Sequence, residues 1–301
     1  MSGAPLVIVN PVAGAGRPAR MVGWLRERPE LTDGGRLEVT SRRGEAQLLA
    51  AEAGERGHSR VVVVGGDGTI QEVVNGLLAG SSPVPGLGIV PLGSGNDLAR
   101  SLGLPTDPGR AWDVAIGASE RPVDVGVAQG EGGTRRFASA GGIGFDAQVA
   151  AAMAVRRGWQ RGQAGYLLTT LAELRRFRNQ RVHLIVDGVV ITRDVLLVAV
   201  ANGSHYGGGM KIAPAAKLDD GLLDLCVVGD VSRFTALRQI PNLYRGTHLH
   251  HPAVEMLRGS QIEIAGEETT RVHLDGEPWG GLPIRIRVEP SALVVAAPHR
   301  A

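Results

Sequence analysis

The chain has 301 residues, 43% of them hydrophobic and 21% charged, an ordinary globular composition and a length that suggests two domains. A net charge of +2 is too small to point to nucleic acid, and the one cysteine cannot close an internal disulfide, which suits a reducing compartment. No run approaches the ~18 apolar residues of a membrane-spanning helix, and residues 1–5 lack the basic start and apolar core of a signal peptide, so a cytoplasmic chain is expected.

Residues 6–9, 37–40, 60–64 and 87–90 read as short strands. Three are apolar almost throughout, as suits strands buried on both faces of a parallel sheet. Helical patterns over about residues 17–26, 45–54 and 70–79 lie between them. This alternation predicts an α/β N-terminal domain over residues 1–123, with helices on both faces of the sheet. Beyond it, short strands are expected at 123–127, 136–139, 181–186, 195–201, 222–228, 261–265, 272–275, 284–288 and 293–297. Helical patterns near 147–155, 164–177 and 232–244 interrupt them. The prediction is a mostly antiparallel, β-rich C-terminal domain over residues 124–301. Cys226, inside an apolar run, reads as a small buried core residue.

Three glycine-rich turns follow presumed strands of the first domain: Asn10-Pro11-Val12-Ala13-Gly14, Gly65-Gly66-Asp67-Gly68-Thr69 and Pro91-Leu92-Gly93-Ser94-Gly95-Asn96-Asp97. In an open α/β sheet such turns lie beyond the carboxyl ends of the strands, where ligands bind. Glycine lets backbone approach a phosphate, and a helix N-terminus supplies free N–H groups. Thr69-Ile70-Gln71-Glu72 has the pattern of a capping box, and Ser94 to Asp97 is a weaker variant, so each predicts a helix start. One such turn is most simply a connector; three at the same end of one sheet favour an anionic ligand. Neither a P-loop lysine motif nor a dinucleotide G-x-G-x-x-G is present, and the two lysines, Lys211 and Lys217, are remote from the turns in sequence. A triphosphate here would be held by backbone N–H groups and a divalent metal, with Arg17 and Arg20 as candidate contacts for which a solvated helix face is an equally good reading.

At these residues the sequence resembles the diacylglycerol kinase catalytic-domain family, which includes bacterial lipid kinases, sphingosine kinases and ceramide kinases. Further segments match in order: Gly144-Phe145-Asp146-Ala147, Ala213-Pro214 with Leu218-Asp219-Asp220-Gly221, and Asp275-Gly276-Glu277. The resemblance implies transfer of the γ-phosphoryl group of ATP to a lipid hydroxyl, with diacylglycerol the first choice of acceptor. It places the nucleotide on Asn10, Pro11, Val12, Ala13, Gly14, Thr40 and the run Gly66, Asp67, Gly68, Thr69, Ile70, Gln71 and Glu72, with Ser94 where many relatives have threonine. It implies Mg²⁺ held by the backbone carbonyls of Lys217 and Leu222 and the carboxylate of Asp220, with Asp124 tied to that network. Glu277 falls on the family's proton acceptor, and the last strand is allowed to return to the first domain. Asp67, inside a glycine turn, reads from the residues as a carboxylate facing a ligand or a metal-bound water, and is the second catalytic candidate.

The partner implied is a lipid at a membrane surface, met peripherally; a homodimer is left open. Residues 156–161 (Arg-Arg-Gly-Trp-Gln-Arg), followed by Arg175, Arg176, Arg178 and Arg181, are the expected membrane contact. His205, His248, His250 and His251 lack the spacing of a zinc centre and read as exposed loop residues. Two other readings stay open. One is phosphorylation of a soluble dinucleotide in the manner of an NAD kinase; the other is a catalytically silent nucleotide- or lipid-binding regulator.

Overall fold

Four consecutive valines, 61–64, set the middle of the first sheet: all are fully buried, which requires cover on both faces. The computed structural model describes residues 3–80, 84–117, 119–156 and 163–298. The chain forms two compact units, Met1–Val123 with Ser291–Ala301, and Asp124–Pro290.

The first unit runs β1 (Leu6–Val9), α1 (Arg17–Arg26), α2 (Pro29–Thr32), β2 (Arg36–Val39), α3 (Glu45–Ala53), β3 (Arg60–Gly65), α4 (Asp67–Leu77), β4 (Gly86–Pro91), α5 (Asp97–Leu102) and α6 (Pro108–Ile116). The strand order β2-β1-β3-β4 is parallel throughout. Val295, from the segment after the second unit, adds beside Leu87 of β4, again parallel. Val7, Val9, Val62 and Val64 pack on one face with Leu25, Trp112 and Ala115, and Trp24 meets Trp112 edge to face at 6.0 Å. Helices α3 and α4 pack so closely that a methyl at Gly76 would collide with the Gln47 carbonyl. Helix α5 begins where the Ser94–Asp97 turn predicted a helix start, whereas α2 and α6 were not among the expected elements. The signal for α6 is local: Asp107 caps it by accepting from Arg110 N at 2.9 Å, and Pro108 opens its first turn.

Strand β5 (Glu120–Gly130) leads into the second unit. There follow β6 (Gly133–Phe137), β7 (Ala140–Gly144), α7 (Phe145–Ala154), α8 (Gln163–Leu174), β8 (Gln180–Val186), β9 (Val189–Ala201), β10 (Leu223–Gly229) and α9 (Arg233–Arg245). The unit then continues through β11 (Val254–Gly259), β12 (Gln261–Gly266), β13 (Arg271–Leu274), β14 (Glu277–Gly281) and the first part of β15 (Ile284–Ala296). The pairing is antiparallel, in the order β14-β13-β7-β9-β8-β12-β15, with β10 joining β9 to β11. The long β9 is the branch point: residues up to Val195 pair with β8, and those beyond pair with β7 and β10.

Alternation along β9 and β10 divides the apolar interior in two. Val198, Val200 and Leu225 face a core with Phe137, Ile262 and Ile264. Leu197, Ala199, Ala201 and Cys226 face a second, with Phe145, Val149 and Phe177. Cys226 is buried, as expected, and burial pushes its thiol up to about 12. Strands β7, β11 and β14 were not foreseen.

Candidate functional site

In the first unit the three glycine turns are tied to one another. The Asn10 side chain donates from Nδ2 to Thr69 Oγ1 at 2.8 Å, and its Oδ1 accepts from Val12 N at 3.2 Å. A Cβ at Gly14, whose φ is +50°, would collide with the Leu92 carbonyl oxygen. A Cβ on Gly66 would stand 2.9 Å from Gly93 Cα. The Asp67 carboxylate accepts from Asn96 N at 2.7 Å and Asp97 N at 2.6 Å. Several of the glycines are therefore required by backbone meeting backbone, before any ligand is considered.

Two expectations change here. Neither capping box forms. Helix α4 starts at Asp67, its N-cap is Gly66, and Thr69 is turned toward Asn10 while Glu72 accepts from Gly44 N at 2.9 Å at the start of α3. Helix α5 begins after Asn96, whose φ is +57°, and Asp67 from the neighbouring turn supplies the acceptor for its first N–H groups. Asp67 thus bridges two turns, with both oxygens engaged by backbone, where a ligand-facing carboxylate was expected. Its carboxyl sits above the ordinary range because burial outweighs the opposing hydrogen bonds from Asp97 and Asn96.

The other expected nucleotide residues divide by exposure. Val12, Gly68 and Ser94 are exposed, as are Arg17 and Arg20, whereas Ile70 and Gln71 are only 2% exposed and point into the fold. Pro11 and Ala13 are half-buried beside Val12. Thr40 ends up against β1, with its hydroxyl donating to the Val9 carbonyl at 3.3 Å.

In the second unit Asp124 is 1% exposed and shapes the loop that carries Lys217, Asp220 and Leu222. Its N donates to the Leu218 carbonyl at 2.6 Å, and its Oδ2 accepts from Gly221 N at 2.7 Å. Asn202, which sequence reasoning missed, donates to the carbonyls of Asp124 at 2.7 Å and Ala138 at 2.9 Å. Its own Oδ1 is buried with no partner among the described residues. Asp220 accepts from Leu222 N at 3.2 Å and is paired with Arg258, which also reaches Asp224 at 3.2 Å. Carboxylate, carbonyl and amide oxygens are the donors Mg²⁺ prefers, so the loop fits that ion by donor chemistry. Arg258 is the competitor for Asp220.

Glu277 opens β14 and is half-buried. It follows a two-residue turn in which Asp275 and Gly276 both have positive φ, +48° and +79°, the geometry that Asp-Gly favours in hairpins. The Asp275 carboxylate accepts from Ala138 N, Ser139 N and Ala140 N, each at 3.0 Å, and so fixes the turn to the strand edge. Gly276 N donates to His273 Nδ1 at 3.3 Å, and His273 Nε2 meets Asp146 Oδ2 at 3.2 Å. A Cβ at Gly142 would collide with both partners of that buried pair, which is why this stretch of β7 is glycine-rich. In the sequence Asp146 belongs only to a matching segment and His273 only to an expected strand, with nothing to pair them.

Asp146 also lines a cavity of about 650 Å³ enclosed by α7, α8, α9, β9 and β10. Phe145, Val149, Leu174, Leu197, Met210 and Ile240 make its wall almost wholly apolar. His248 lies at its margin, 1% exposed, against the expectation of an exposed loop histidine. It holds the Ile212 carbonyl at 3.2 Å, and burial keeps its imidazole below the usual range. Arg181, of the expected membrane cluster, is instead paired with Asp194 through two contacts at 2.9 and 2.8 Å. Residues 157–161 of that cluster lie outside the described residues.

Residues 4–128 match the family model described as the diacylglycerol kinase catalytic domain. Residues 139–297 match the YegS C-terminal NAD kinase beta sandwich-like domain. The chain belongs to the diacylglycerol kinase catalytic-domain family. It is 35% identical over 264 residues to a probable lipid kinase YegS-like of Chromohalobacter salexigens, covering 87% of this chain and 84% of that one. It is likewise 35% identical over 258 residues to a diacylglycerol kinase of Mycobacterium tuberculosis H37Rv, covering 85% and 82%. The fold is similar to the crystal structure of a diacylglycerol kinase from Bacillus anthracis str. Sterne, with a TM-score of 0.74 and 26% identity over 98% of this chain and 96% of that one. In the family's terms, the matched catalytic domain holds the three turns, and the matched C-terminal domain holds the Lys217–Leu222 stretch, the Glu277 hairpin and the cavity.

Proposed function

We propose that this chain transfers the γ-phosphoryl group of ATP to a lipid hydroxyl, with diacylglycerol as acceptor and phosphatidic acid as product. The observation that carries the acceptor class is the apolar cavity and its link to Glu277. Asp146 in the cavity wall holds His273, which holds Gly276 N, and Glu277 is the next residue. A volume of about 650 Å³ lies within the range of ~300–1,000 Å³ that accepts one small-molecule ligand, and an apolar wall suits an acyl chain better than a dinucleotide.

In this reading Glu277 accepts the proton of the attacking hydroxyl, whose oxygen bonds to the γ-phosphorus as the bond to the β-phosphate oxygen breaks and ADP leaves. The exposed backbone around Val12, Gly68 and Ser94 receives the nucleotide. The carbonyls of Lys217 and Leu222 with Asp220 would hold Mg²⁺, which neutralises phosphate charge, while Asp124 keeps their loop in shape. The enzyme works in the cytoplasm and visits the membrane surface for its acceptor.

The match of residues 139–297 to an NAD kinase-like sandwich supports a second reading, phosphorylation of a soluble dinucleotide. One assay separates the two. Purified protein receives γ-labelled ATP with Mg²⁺, and is offered a panel of lipids in vesicles and, separately, NAD. Labelled phosphatidic acid or another phospholipid supports the first reading; labelled NADP with no labelled lipid overturns it.

A further inference from the structure

Helix α9 lies over the cavity, and no residue in it is buried. Its inner residues Ala236, Gln239, Ile240 and Leu243 are half-buried and border the cavity. Its outer side carries Phe234 and Leu237, 61% and 39% exposed, beside the exposed Arg238 and Arg245, while Arg233 at its start reaches back to the Phe177 carbonyl at 3.4 Å. The Arg238 guanidinium stacks over the Phe234 ring at 4.2 Å. Pro241 is exposed and borders the cavity, and the helix contains no acidic residue.

A helix on a water-facing surface ordinarily turns charged and polar groups outward. Here large apolar groups and cations share the outer side, and nothing on the helix offsets the positive charge. That composition is the one that lies in the headgroup layer of a negatively charged bilayer, apolar groups inserted and arginines on lipid phosphates. Tyr244 joins the two sides: it is 41% exposed and also borders the cavity.

We propose that α9 seats this protein on an anionic membrane surface and that the acyl chain of the acceptor passes beside Tyr244 into the cavity. The seating stands on α9 alone, whereas the passage rests on the lipid-kinase reading. The occupant is a lipid surface because the cations need anions and the exposed apolar groups need cover, and an anionic bilayer supplies both.

The test is flotation with vesicles of phosphatidylcholine alone and of phosphatidylcholine with phosphatidylglycerol. Wild type is compared with Phe234→Ser/Leu237→Ser and with Arg238→Glu/Arg245→Glu, none of which lines the cavity, and a thermal melt confirms that each variant is folded. Wild type should prefer the anionic vesicles, and each double variant should bind them at least ~10-fold more weakly. Phosphorylation of dioctanoylglycerol below its aggregation limit should be unchanged, while that of diacylglycerol embedded in vesicles falls. Folded variants that float like wild type, or a wild type indifferent to phosphatidylglycerol, overturn the seating. A wild type that floats through α9 yet labels no lipid overturns the passage together with the lipid-kinase reading, and leaves the seating in place.

Discussion

Replacing Asp275 by alanine separates the hairpin's scaffold from its chemistry. Its carboxylate is the acceptor for three consecutive backbone N–H groups, from Ala138, Ser139 and Ala140. Hydrogen bonds to a charged group contribute ~1.5–3 kcal/mol each when buried; Asp275 is half-buried, so ~1 kcal/mol apiece is the better figure, or ~3 kcal/mol in all. For a unit of this size ~1 kcal/mol moves Tm by ~2–4 °C, so Asp275→Ala should melt ~6–12 °C below wild type. Asp275→Asn should fall between them. Its one oxygen can keep the two bonds to Ser139 N and Ala140 N, but its amide group opposes the N–H of Ala138. The assay is thermal unfolding by circular dichroism, with ATP affinity as a control on the first unit. If Asp275→Ala melts within ~1 °C of wild type, the hairpin is not held by this carboxylate and the positioning argument for Glu277 fails.

Glu277→Gln should fold like wild type, bind ATP normally and lose ~10²–10⁴-fold in kcat, which a folded variant with most of its turnover would disprove. Gly93→Ala places a methyl against Gly66 and the Asn96 side chain, so ATP affinity should drop with little effect on melting of the second unit, as titration calorimetry can show. His248 has a depressed value in the fold, so its contribution to stability is complete above the ordinary value of 6.5 and is lost as pH falls below it toward the folded value. Wild type should therefore lose stability from pH 7 to 5.5 with an excess slope of up to ~1.4 kcal/mol per pH unit over His248→Gln in urea titrations, and parallel profiles would refute it.

The first unit was largely legible because its signals are local. The valine run of β3 and the apolar β1 and β4 state their own burial, and a glycine turn after each marks where strand gives way to helix. What local pattern could not show was which partner each polar group would take. Thr69 and Glu72 have capping-box spacing, yet Asn10 and Gly44, distant in sequence, claim them. Strand β7 hid behind glycines that disfavour strands in general but are needed beside the Asp146–His273 pair. That pair spans 127 residues of sequence and has no local signature at all. Asn202 was missed for the same reason, since its partners come from two other segments. The cavity arises where three helices and two strands enclose space, a property of assembly with no motif.

The second unit is inserted into the first, because β4 waits for Val295, which the ribosome delivers only after Asp124–Pro290 has been made. Until then the edge of β4 beside Leu87 is an open strand edge, able to pair with another chain. The inserted unit has all its strands in hand earlier and can close first, reversing the usual order in which N-terminal domains mature ahead of later ones. A chain released after residue 290 would carry every strand of the second unit beside a first unit lacking its last strand, and chaperones should find their binding surface in the half that was synthesised first.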